Sequence, residues 1–200
     1  MTWVYACVMN NELPAVLTLG HPQLAQPSVP VDLRDINTAL FQERLALLES
    51  GLKLHGANGI AAPQLGWFQR FFLMRDPAGS GALVYWINPE LKILDPALVW
   101  YWEGCLSVPG LKAYVGRPRA IKVDGYDRYG RPLSREFGDW EAHLYQHEHD
   151  HLDGILFPYR VADPRHMVTA DELKRRDSWP DDWPVHGARE APIRVVNPGG

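Results

Sequence analysis

The chain has 200 residues and a mass of 22.7 kDa, enough for one compact domain with a substantial core. At 46% hydrophobic and 22% charged it has the composition of a soluble globular protein, not of a disordered or fibrous one. A formal net charge of −4 gives no electrostatic basis for general nucleic-acid binding, and no apolar run approaches a membrane span.

The leader "WVYACVM" has no basic residue before it and is too short for an export signal or anchor. It reads as a short strand or a loose leader. Two cysteines, Cys7 and Cys105, cannot build a disulfide framework. They fit free thiols in a reducing cytoplasm, where a thiol is available as ligand or nucleophile.

Leu33, Ile36, Leu40, Phe41, Leu45, Leu48 and Leu52 recur at helical spacing. They predict an amphipathic helix from about Asp32, as N-cap, to about Leu54, with Gly56 ending it. "NGIAAPQLGW" reads as a strand-edge loop. Short β-like runs follow: "RFFLM", "ALVYWIN", "ALVWYWEG", "AIKVDGYD" and "RPLSREF", separated by the turn signals "DPAGSG", "NPE" and "RYGRP". "DWEAHLYQHEHDHLDG" returns to helical character, with Asp139 as N-cap and Gly154 just past its end. The order predicts an α+β fold: an N-terminal helix, mixed or antiparallel β-sheets, and a later helix. We expect one domain over residues 1–176, followed by a Pro/Gly-rich tail, 177–200, that is extended or poorly ordered.

The later helix carries the chemistry. His147 and His151 are four apart and share a face, with Glu148 after the first: the His-Glu-x-x-His pattern of two imidazoles gripping one metal beside a glutamate base. The bland alternative is an exposed polar helix face. His149 points to the other side and reads as a surface or supporting residue. His143 lies on the same stripe, but it is about 12 Å from His151 along the axis, too far for one ion to reach all three. His143 can therefore line the site, and a third ligand must come from elsewhere. The candidates are Cys7, Cys105, His21, His55, His166 and His186. Cys105 stands out because "YWEGCLSVPG" places it at a strand end before a turn, although a packed cysteine is an even alternative.

Three segments in this order, "NGIAAPQLG", "EGCLSVPG" and "QHEHDHLDG", resemble the peptide deformylase family. "VLTLGHPQLAQPSVPV" is similar to the family's opening, and the resemblance spans roughly residues 15 to 160. It implies a metallohydrolase that removes the formyl group from the initiator methionine of nascent chains. By that similarity Cys105, His147 and His151 hold one divalent metal, ferrous iron natively, with zinc, nickel or cobalt able to substitute. Glu148 is the general acid/base, and Gln64 with the backbone amide of Leu106 polarises the formyl oxygen. Gly59 and Ile60 lie on the strand that receives the peptide. Asn58, Trp140, His143 and Leu144 line the first side-chain pocket, and Lys112 stands where the family often has a peptide-holding arginine. Glu103, Asp150 and Arg117 support the ligands.

Two residues depart from the family pattern. Ala57 replaces a glycine, and Asn58 replaces an apolar wall residue, which puts affinity and side-chain preference in question rather than chemistry. The implied partners are N-formylmethionyl nascent peptides, met near the ribosomal exit tunnel in the cytoplasm. The weakly basic "DELKRRDSW" adds no separate argument for ribosome docking. A metallopeptidase, or a deformylase-like binder with altered or lost activity, is the alternative.

Overall fold

The computed structural model describes residues 13–76 and 81–192. The leader with Cys7, most of the "DPAGSG" turn and the last eight residues lie outside the described residues.

Helix α1 runs Ala39–Leu54, its N-cap at Thr38 rather than Asp32, six residues later than the apolar spacing predicts. The cause is local hydrogen bonding. The Asp32 carboxylate accepts from the Arg34 N–H (2.9 Å) and from its guanidinium, which turns the chain instead of starting a helix. Thr38 is the real N-cap, extended in backbone, with its hydroxyl accepting from Phe41 N–H. Ile36 is buried in the preceding turns, whereas Leu33 is exposed, so its helical phase was coincidental. Phe41, Leu45, Leu48 and Leu52 form the buried stripe of α1.

Among the described residues the sheet has six strands, and every ladder is antiparallel. The strands are β1 (Gly59–Ala61), β2 (Phe71–Arg75), β3 (Leu83–Cys105), β4 (Val108–Tyr126), β5 (Pro132–Gly138) and β6 (Met167–Thr169). Their order is β1-β2-β3-β4-β5, with β6 paired to β4. The expected stop at "NPE" does not end a strand. Asn88 takes φ +47 and the register slips between Ile87 and Glu90. A residue without an N–H is tolerated at such a bulge, so two predicted runs become one strand of 23 residues. The turn after Cys105 falls at Leu106 and Ser107, so "VPG" belongs to β4.

Side chains of β2 alternate between two cores. Phe71 and Leu73 join Phe41, Leu48 and Ile60 beneath α1. Phe72 and Met74 join Trp86, Phe137, Leu144, Tyr145 and Leu152 beneath helix α2 (Asp139–Leu152). Both faces of β2 are covered, which explains its unbroken apolar run. The N-cap of α2 is Gly138. Asp139 is the first helical residue, at φ +46, and pairs with Arg119 instead of capping. The helix closes as expected at Gly154: the Gly154 N–H donates to His151 O and the Ile155 N–H to Asp150 O.

The described part of the tail is not extended. Short helix α3 (Ala170–Leu173) follows β6, and the chain then folds back on the sheet. Trp179, Ala188 and Ala191 pack with Trp102 and Tyr114, and the Trp102 indole donates to Ala188 O at 2.7 Å. Arg176 and Arg189 tie the tail to itself through Ala191 O and Trp179 O. The Pro/Gly content suggested disorder, but two buried tryptophans outweigh it. Among the described residues, no helix is long and apolar enough to cross a membrane.

Candidate active site

α2 presents His147 and His151 on one face, and the end of β3 brings Cys105 to meet them. One ligand-type atom from each lies within 4.8 Å of the others, and all three residues are buried. Cys105 Sγ is 3.3 Å from His151 Nε2. Among the described residues no other His, Cys or acid joins this group. His21, His55 and His166 therefore drop out as third ligands. His149 faces away, against Arg70 (3.3 Å) and Asp153 (3.3 Å).

The ligands are held from behind by a buried ionic network. Glu103 Oε2 lies 2.7 Å from His147 Nδ1, which places the proton on that nitrogen and leaves Nε2, buried and unpartnered, for the site. Arg117 donates to both Glu103 oxygens (2.6 and 3.0 Å) and to Asp150 Oδ2 (2.7 Å). Burial works against an ionised Glu103, but Arg117, His143 and His147 outweigh it and hold the carboxyl well below the usual range. Asp150 also accepts two bonds from Arg160, a partner the sequence reading missed because nothing local pairs them. His143 Nε2 sits 2.5 Å from Glu103 Oε1, too far off-axis to count as a hydrogen bond. Its ring packs against Tyr101 and Trp140 at 4.9 and 6.1 Å.

Glu148 is fully buried with neither carboxylate oxygen hydrogen-bonded. Burial pushes its carboxyl up to about 7. It is packed against Gly59, where a Cβ would lie 2.6 Å from Glu148 Cδ. Gln64 is oriented by its neighbours. Its Oε1 accepts from Ala61 N–H (2.8 Å), so its NH2 faces Ser107 Oγ (3.1 Å) and Cys105 Sγ (3.4 Å). Ser107 was not singled out in the sequence. It is wholly buried and its N–H also donates to Cys105 Sγ.

Among the described residues β1 is the end strand of the sheet, paired with β2. The Ile60 side chain is buried beneath α1, so only its main chain is available to a ligand. Asn58 is half-buried, and its carbonyl accepts from Arg75 N–H. Leu144 packs in the core beneath α2, with half-buried Trp140 against the same cluster. Leu106 is half-buried at the β3–β4 turn. Half-buried Lys112 lies across the face of Gly104, beside Cys105. A cavity of about 210 Å³ opens here, lined by Val16, His55, Cys105, Leu106, Lys112 and Ala170 among others.

The residues fit a divalent metal. One thiol and two imidazoles converge, an imidazole nitrogen is aimed inward without a partner, and an acid of raised pKa stands alongside. Burial pushes the His151 imidazole down, toward the neutral form a ligand needs, whereas Cys105 and Glu103 pull His147 up against its burial, so binding an ion there would release a proton.

Comparison with known proteins agrees with this arrangement. The family model for polypeptide deformylase matches residues 14–167. Peptide deformylase 2 of Nostoc sp. is 37% identical over 173 residues, covering 83% of this chain and 96% of that protein. Among solved structures, the Met-Ala-Ser-bound class I type b peptide deformylase of Acinetobacter baumannii superposes with a TM-score of 0.69 at 28% identity, over 76% of this chain and 99% of that one. The peptide deformylase of Thermotoga maritima gives 0.68 at 32% identity, over 76% and 99%. With its buried Cys105–His147–His151 centre, its unpartnered Glu148 and this extent of similarity, the chain belongs to the peptide deformylase family.

Proposed function

We propose that this site removes the N-formyl group from formylmethionyl peptides, with Cys105, His147 and His151 holding one divalent ion. The observation that carries the reading is the isolated Glu148 carboxylate beside the three ligands, with the Gln64 NH2 on the Cys105 side. A bound ion there lowers the pKa of water and polarises a carbonyl. Ferrous iron is the ion proposed, and the thiolate–imidazole set also accommodates zinc, nickel or cobalt.

The chain's own residues divide the remaining work. Glu148, with its carboxyl near 7, takes the proton of the attacking water and delivers it to the departing amine. The Gln64 NH2 and the Leu106 N–H stabilise the negative charge that develops on the formyl oxygen, with donors whose charge does not change with pH. The free edge of β1 accepts the peptide as an added strand, through main-chain groups at Gly59 and Ile60. Asn58, Trp140, His143 and Leu144 border the first side chain, and Lys112 holds the peptide beyond it. Glu103, Arg117 and Asp150 keep the imidazoles in place. The compartment proposed is the cytoplasm, where formylated nascent chains leave the ribosome.

The test is formate release from a formyl-Met-Ala peptide by metal-loaded protein, alongside the acetylated analogue and an unblocked peptide. Formate is expected from the first alone. Internal cleavage without formate would assign the site to a peptidase. No product from fully loaded protein would mean a binder that has lost turnover.

A further inference from the structure

Gln64 and Ser107 come from distant segments and meet beside Cys105. The short turn Ala62–Leu65 carries Gln64, and the connection between β3 and β4 carries Ser107. The N-terminal segment straps both backbones from outside. The Leu17 N–H donates to Gln64 O at 2.8 Å, and the Leu19 N–H donates to Ser107 O at 2.7 Å. Both side chains are buried, so their partners within the protein decide how they are oriented.

A primary amide has one acceptor oxygen and two N–H donors, and in a buried site each is costly to leave unpaired. Gln64 Oε1 is committed to the Ala61 N–H at 2.8 Å. Its Nε2 then faces two acceptors, Ser107 Oγ at 3.1 Å and Cys105 Sγ at 3.4 Å. The two differ in strength: a hydroxyl oxygen is a good acceptor, and sulfur is a weak one. Cys105 Sγ also receives the Ser107 N–H, at 3.4 Å. The bond to sulfur is therefore the one that yields to a substrate oxygen, and the bond to Ser107 is the one that stays. With Oε1 and one N–H held, the amide plane is fixed and the other N–H stays on the Cys105 side.

We infer that Ser107 is a positioning residue for the reaction: its Oγ holds one N–H of Gln64 so that the other is presented to the formyl oxygen. This role rests on the proposed reading of the site. It belongs to the hydroxyl and is separate from what the Ser107 main chain does. The Ser107 N–H and C=O brace the turn that carries the Leu106 N–H, through Cys105 Sγ and the Leu19 N–H. Ser107→Ala leaves those main-chain bonds in place and removes only the hydroxyl.

Ser107→Ala, assayed on a formyl-Met-Ala peptide, should lower kcat by about three- to thirtyfold, less than outright loss of an oxyanion donor, with KM within about twofold of the parent. Its metal content should stay near the parent's. In a Gln64→Ala background the same change should cost less than about twofold, because the group it positions is gone. A serine that merely supports the fold would lower activity alike in both backgrounds. The Gln64 amide itself gives a readout without turnover or metal. In the nitrogen–proton NMR spectrum of the metal-free protein its NH2 signals are identified by their loss in Gln64→Ala. They should move, and exchange faster with water, in Ser107→Ala. Moved signals in a protein whose loaded parent releases no formate would retain Ser107 as the anchor of Gln64 and remove the deformylase reading. Unmoved signals, a parental kcat in Ser107→Ala, or an equal loss in both backgrounds would overturn the inference.

Discussion

A Cβ on Gly59 would lie 2.6 Å from Glu148 Cδ and 2.7 Å from its Cγ, so the strand and the glutamate share one volume. β1 therefore sets the position of the proposed acid/base, Glu148, from across the cleft. Gly59→Ala should move the carboxylate and lower kcat by about tenfold to a hundredfold, the scale of a misplaced catalytic group. Metal content, measured by atomic absorption, should stay near one ion per chain because no ligand is touched. A parental kcat would show that Glu148 has room to spare.

Glu148→Gln should keep the metal and lower turnover by about a hundredfold or more. The same variant has a pH signature in the metal-free protein. The carboxyl is raised from 4.5 to about 7 on folding, so the native state binds the extra proton between those values. The stabilisation from the neutral acid is complete below pH 4.5 and is lost as pH rises through about 7. Glutamine cannot ionise. The variant should therefore gain on the parent in unfolding free energy, read from urea titrations, from pH 5 to pH 8, by about a few kcal/mol at most. A constant difference across that range would place Glu148 in a far more polar setting.

The sequence made this centre legible because its motif is local. His147, Glu148 and His151 are fixed relative to one another by helical geometry, and "EGCLSVPG" marked Cys105 as a strand end. What it hid depends on contacts between distant segments. Nothing near Asp150 announces Arg160, and Ser107 became visible only when Gln64 was seen to donate to it. The start of α1 was misread because Asp32 caps a helix and closes a turn with the same hydrogen bonds. The described part of the tail, 177–192, is packed where its Pro and Gly content counts against order, because Trp179 had no visible partner until Trp102 was placed.

Glu103→Gln tests the network behind the ligands. It would leave Arg117 buried without its bidentate partner and His147 without its ionised acceptor. The expected cost is about 3–5 kcal/mol in stability and about 10–100-fold in metal affinity. His149→Ala, on the opposite face, should leave metal affinity unchanged. Chelator competition measures both. An equal loss of affinity in the two variants would mean that α2 responds as a whole, not through Glu103.

The last prediction concerns the tail. The Trp102 indole is buried and donates to Ala188 O, and Trp179 packs 5.8 Å from it, ring to ring. Ending the chain after Ser178 would expose one tryptophan face and remove the indole's acceptor. The expected loss is about 2–4 kcal/mol in a chemical denaturation midpoint, close to that of a large-to-small core change. Trp102→Phe removes the indole N–H and part of the ring while the tail stays in place, and should cost about 1–3 kcal/mol, less than losing the whole dock. Because Leu173 of α3 sits in the same cluster, the shortened chain should also loosen the cavity wall that carries Ala170. A shortened chain with the parental midpoint would show that the dock does not support the core.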